Sequence, residues 1–137
     1  MTNMKFSNYA IMLAICWILL FINTNTVGRL EGLFLPVVNS FTIDSVESGG
    51  GRSELTGTFL KLRNCDFVDI NWNYAVNGGI STTNLDIVEP AKVRTGGFHE
   101  YGPWYVNISN ENVRDHSVVE VIHRCHPLWN TITMVYP

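Results

Sequence analysis

His123, Cys125 and His126 lie close together in the sequence, and imidazole and thiolate are the donors that zinc and copper favour. On a strand, positions 123 and 125 share a face and 126 points away, so convergence would need a bulge or a turn at Pro127. No C-x2-C or H-x3-H spacing accompanies them, and His99 and His116 are separate. The competing reading has the histidines capping strand ends and bonding to backbone carbonyls. A metal-dependent protein or enzyme using His123, Cys125 and His126 is the alternative; no cofactor and no metal is the main expectation.

A disulfide would take Cys125 out of any ligand set. Of the three cysteines, Cys16 sits inside an apolar run, which leaves Cys65 and Cys125 as an even pair. In an oxidising compartment two cysteines in a small domain pair most simply with each other. That bridge would close a loop of about 61 residues and contribute on the order of 4 kcal/mol by the loop-entropy relation.

Catalytic chemistry of other kinds finds little support. No serine stands in a G-x-S-x-G elbow. Carboxylates could be paired as Asp66 with Asp69, or Glu100 with Asp115 or Glu120, but some pair falls together by chance in any small domain. The expectation is that the chain is not an enzyme. Trp72, Tyr74, Tyr101, Trp104, Tyr105, Trp129 and Tyr136 form a large aromatic set. Most should be core, because large rings dominate burial in a sandwich. Tyr101-Gly102-Pro103-Trp104 is the segment predicted as an exposed contact loop, with Tyr101 and Trp104 held rigidly beside Gly and Pro to meet a partner or a sugar. Asn107-Ile108-Ser109 matches a glycosylation sequon, which matters only in a eukaryotic secretory pathway.

The elements that would carry these residues begin with an apolar segment. In 137 residues with a net charge of −3, only 15% of side chains are charged and 46% are hydrophobic, against roughly 25% charged in ordinary soluble chains. The length allows one domain. The mild acidity and the absence of a Lys/Arg run argue against nucleic acid as a partner. Tyr9 to Ile22 is free of charge, with Lys5 ahead of it and no further positive charge before Arg29. Fourteen helical residues would span about 21 Å, short of the roughly 30 Å hydrocarbon core and within the range of a secretory h-region. The residues that follow contain no A-x-A-like cleavage site, so an uncleaved signal anchor is equally readable. The expectation is a single-pass membrane protein anchored in the lipid bilayer through residues 9–22. Its N-terminus would be cytoplasmic, because positive charge stays inside, and its C-terminal domain would be periplasmic or extracellular. Ile15 before Cys16, with apolar residues continuing beyond it, does not fit a lipoprotein acylation box.

The division predicted is residues 1–27 as the hydrophobic segment and 28–137 as an exported domain. That domain reads as all-β, with short β-branched or alternating runs separated by Gly, Asn, Ser and Pro and no convincing helical period. Strands are predicted at Leu33 to Val46, Glu54 to Leu62 with a bulge at Gly57, Asp66 to Val76 ending at Asn77-Gly78-Gly79, Leu85 to Val88 ended by Pro90, and Phe98 to Ser109. The last pair is Val118 to Ile122 and Trp129 to Tyr136. Strands recurring at this spacing suggest an antiparallel β-sandwich.

Gly49-Gly50-Gly51, the Gly57-Thr58-Phe59-Leu60 strand and the cysteine after it resemble the opening of immunoglobulin-like domains of the IPT type. Three further stretches, Lys61 to Val68 (KLRNCDFV), Phe98 to Trp104 (FHEYGPW) and His123 to Trp129 (HRCHPLW), look like those of small exported proteins encoded by tailed bacteriophages. The second resemblance implies a viral origin and a membrane location, and it brings no catalytic residues with it. Together these readings give a non-catalytic, immunoglobulin-like β-sandwich behind a signal-anchor helix. It would make contacts with an envelope protein and modify the host envelope, through superinfection exclusion or lysis control.

Overall fold

The computed structural model describes residues 3–21, 24–76, 79–83, 85–87 and 94–136. Two helices open the chain, α1 (Asn3–Phe21) and α2 (Thr24–Phe34). Pro36, which disfavours helix in the residue before it, then turns the chain into β1 (Val38–Gly49), paired with β2 (Arg52–Lys61). There follow β3 (Asp66–Val76), β4 (Gly79–Thr83), β5 (Leu85–Ile87), β6 (Gly97–Val106), the single-turn α3 (Asn110–Asp115), β7 (Ser117–Arg124) and β8 (Thr131–Tyr136).

The strands form two four-stranded antiparallel sheets, in the orders β1-β2-β6-β5 and β4-β3-β7-β8. The mostly-β fold expected from the alternating runs is present, and its inner faces share one core. Trp72 on β3 is fully buried among Phe41, Leu55, Ile70, Tyr101, Val106, Val119 and Val121, and its indole N–H donates to Ser117 Oγ at 2.8 Å. β3 runs over the residues predicted for it. The bulge expected at Gly57 coincides with a register shift between Leu55 and Gly57 against β6.

Several expectations are corrected. Leu33 and Phe34 end a helix instead of opening a strand, because the first sheet position falls after Pro36. Tyr101-Gly102-Pro103-Trp104 is not a loop: β6 continues through it, with the Gly102–Pro103 peptide cis and Gly102 at φ 114°. The helices α2 and α3 stand where no helical period was read. Ile22, Asn77, Gly78, Val88 and Pro90 lie outside the described residues.

Among the described residues no helix is long and apolar enough to cross a membrane, so the spanning anchor expected over residues 9–22 is not supported. The polar Asn3, Lys5, Ser7 and Asn8 occupy the first two turns of α1 and leave the apolar stretch short.

Candidate functional site at the helix–sheet junction

The cysteines meet as expected. Cys65, just before β3, and Cys125, just after β7, form a disulfide. It lies in a small second core with Val37 and Val38, flanked by Phe59 and Val135. This takes Cys125 out of the histidine cluster. His123 points inward and is 3% exposed, with Phe67 edge-on to its ring at 6.0 Å and no hydrogen-bond partner at Nδ1. His126 turns the other way, to Glu31. The three residues do not converge, and among the described residues no group of three or more His, Cys, Asp or Glu could hold a metal ion.

Nor do the contact-loop residues lie on a loop. Tyr101 is 4% exposed and stacks on Phe41 with ring centroids 4.9 Å apart, while its hydroxyl donates to the Thr42 carbonyl at 2.9 Å. Trp104 packs against Tyr101 at 4.3 Å, half-buried. Burial pushes the Tyr101 phenol upward, helped by the nearby Asp44 and Tyr136, so it stays protonated. Of the paired carboxylates, Glu120 is claimed by Arg29, whose guanidinium donates to both of its oxygens.

What the structure does assemble is a junction that the sequence reading missed. Helix α2 lies on β8 with almost no side chain between them. A Cβ on Gly28 would stand 2.0 Å from the Asn130 carbonyl oxygen, and one on Gly32 would stand 1.9 Å from that of Ile132. Glycine is required at both positions because backbone meets backbone there. On one flank of the helix Arg29 grips Glu120. On the other, Glu31 accepts from Trp129 Nε1 (2.8 Å), Thr131 Oγ1 (2.8 Å), Arg63 (3.0 Å) and His126 Nε2 (3.2 Å). The rings of His126 and Trp129 meet edge to face at 4.1 Å. Arg63 also donates to the Leu35 carbonyl, and Thr133 Oγ1 accepts from Val37 N–H, so the connection from α2 into β1 is held as well. The signal available in the sequence was Gly28-x-x-x-Gly32 with Glu31 inside it, a spacing that permits close backbone approach.

The electrostatics of this end of the domain are polarised. Burial pushes the Glu31 carboxyl up, but the hydrogen bonds from Trp129, Thr131, Arg63 and His126 outweigh it and hold the group at about 2. Beneath the disulfide, Lys61 is 4% exposed and spends its ammonium on the carbonyls of Cys65 (2.8 Å) and Arg94 (2.6 Å). Burial lowers the Lys61 pKa, Asp66 opposing and Arg94 assisting. Burial and the Lys61 charge together push His123 down to about 4. No family model matches the chain, and no curated protein or solved structure matches it.

These shifts make the fold acid-sensitive. His123 is neutral in both states above its ordinary 6.5. Between 6.5 and 4 the unfolded chain takes up a proton that the folded chain refuses, so stability falls as pH falls, by on the order of 3 kcal/mol in all. Glu31 contributes stability that is complete above 4.5 and is lost as pH drops from there through 2. Urea midpoints measured from pH 7 to pH 3 should fall throughout. His123→Gln should flatten the limb between 6.5 and 4, and Glu31→Gln the limb below 4.5. A midpoint independent of pH over this range would contradict both assignments.

Proposed function

We propose that this chain is a non-catalytic, immunoglobulin-like module held at a membrane by α1, with its N-terminus cytoplasmic and its sandwich on the exported side, where it makes protein contacts in a cell envelope. The observation that carries the reading is the pairing of a disulfide-bonded sandwich with a leading helix whose stretch over residues 9–18 is apolar on every side. Tyr9, Ile11, Met12, Leu13, Ile15 and Ile18 are each half or more exposed. A protein partner covers one face of a helix; a helix apolar all round requires an apolar solvent or a core. The stretch is shorter than a full hydrocarbon core, a mismatch that local bilayer thinning or snorkelling flanks accommodate at modest cost.

The Cys65–Cys125 bridge supports an oxidising compartment, which is where disulfides form and persist. The strand order supports the immunoglobulin-like part. In the usual lettering it corresponds to A-B-E-D facing C′-C-F-G, with a buried tryptophan, Trp72, on the C-equivalent strand. The likeness of three sequence stretches to exported phage proteins supports a host envelope as the setting, with superinfection exclusion or lysis control as the role. Phe98, 76% exposed beside Thr58, His99 and Glu100 over β2 and β6, offers a surface for the partner.

The test is expression of the full chain in a Gram-negative bacterium. It is expected to stay in the membrane pellet after an alkaline carbonate wash, and its sandwich should become protease-accessible only after the outer membrane is opened. A chain released by carbonate, or digested only in inside-out vesicles, would contradict the reading.

A further inference from the structure

Helix α2 is built inside out. An amphipathic helix on a domain surface ordinarily buries its leucines and shows its small or polar face to water. At about 100° per residue, Gly28 and Gly32 point to one side of α2 while Leu30, Leu33 and Phe34 point to the opposite side. The glycine side is the buried one, pressed on the backbone of β8. The leucine side faces out: Leu30 is 53% exposed, Leu33 73% and Phe34 76%. Arg29 and Glu31, between these two sides, are both tied down to the sheets and so fix which face looks outward. Leu35, which follows Phe34 in the chain, is exposed too, as are Leu62 and Leu128, which hydrogen bonds tie to the α2–β1 connection and to the Glu31 flank. Leu62 N–H bonds to the Val37 carbonyl, and Leu128 N–H bonds to the ring of His126, which reaches Glu31.

We infer that this face of α2, with Leu35, Leu62 and Leu128, is a lipid-contacting surface that seats the sandwich on the bilayer in one fixed orientation. The inference rests on the reading that α1 enters that bilayer. Two observations choose lipid over a protein partner. The face begins a few residues beyond the end of α1 at Phe21, so a bilayer surrounding α1 also reaches α2. A second copy seated on α2 would cover one side of one helix and leave the exposed apolar residues of α1 in water. The rigid glycine contact gives the seating its purpose: a helix clamped to β8 transmits the orientation of the membrane surface to the whole sandwich. The β1–β2 hairpin would then point away, since Glu47 lies nine strand residues from Val38, roughly 30 Å along β1.

The test uses the full chain with Cys16→Ser, reconstituted in phosphatidylcholine/phosphatidylglycerol vesicles, with an environment-sensitive fluorophore on one introduced cysteine at a time. The positions are Ile15→Cys, Leu33→Cys, Leu128→Cys and Glu47→Cys. A shallow lipid-borne nitroxide is expected to quench the probes at 33 and 128 about threefold or more over the probe at 47, with iodide showing the reverse order. Leu30→Ser with Phe34→Ser should return the probe at 128 to iodide. If Ile15 reports lipid while 33 and 128 report water, the seating is wrong and the membrane reading stands. If Ile15 reports water as well, both fall. Probes at 33 and 128 shielded from both quenchers would mean a protein covers the face, which overturns the inference in favour of self-association.

Discussion

Replacing Cys65 and Cys125 together by alanine is expected to lower the stability of the sandwich by about 4 kcal/mol, the loop-closure entropy for a ring of about 61 residues. The two cysteines, 60 positions apart, join the corner where the chain passes between sheets to the end of β7. Without the bridge, Val37 and Val38 lose the wall of the second core, and the carbonyl of Cys65 that receives the Lys61 ammonium loses its anchorage. For a domain whose total stability is typically about 5–15 kcal/mol, that is a large share. Urea unfolding of the wild-type chain with and without reductant should show the same drop as the double variant. Coincident curves would contradict a stabilising role for the bridge.

Gly32→Val is expected to detach α2. Its Cβ would stand 1.9 Å from the Ile132 carbonyl oxygen, on an edge strand whose backbone is held by its pairing with β7. The helix must lift, and lifting it pulls Glu31 away from four donors and Arg29 away from Glu120. The expected cost is about 3–5 kcal/mol, combining overpacking with lost charge-assisted hydrogen bonds. Amide exchange separates this from general damage. Residues 29–34 should lose protection while Trp72 on β3 and Val119 on β7 keep theirs. A Gly32→Val chain with a wild-type midpoint and a protected α2 would show that the close contact is not required.

The contrast between these two sites explains how much could be read from the sequence. β3 is legible because Ile70, Trp72, Tyr74 and Val76 put bulk at strand spacing, and the disulfide because only two cysteines lie outside the apolar run. Helix α2 was not, because periodicity methods look for a buried apolar stripe, and its buried stripe is glycine. The stripe that is apolar faces outward, so Leu33-Phe34-Leu35 reads as the start of a strand. The Glu31 junction was hidden for a second reason. Its donors come from position 63 and from positions 126 to 131, and no local pattern ties these to a glutamate some thirty to a hundred residues away. Tyr101-Gly102-Pro103-Trp104 misled in the opposite direction, since Gly-Pro is a turn signal by local chemistry. Here β6 runs on through these residues, and Tyr101 goes inward with Trp104 packed against it.

The proposal that the sandwich is exported and membrane-held is tested most directly by thiol counting on the intact chain. The protein would be extracted from membranes under denaturing conditions with an alkylating agent present, and its mass measured before and after reduction. The expected result is a full-length chain of 15.5 kDa that takes one alkyl group, on Cys16, without reductant and three with it. A chain recovered from the soluble fraction, or one alkylated at all three cysteines straight from cells, would contradict it.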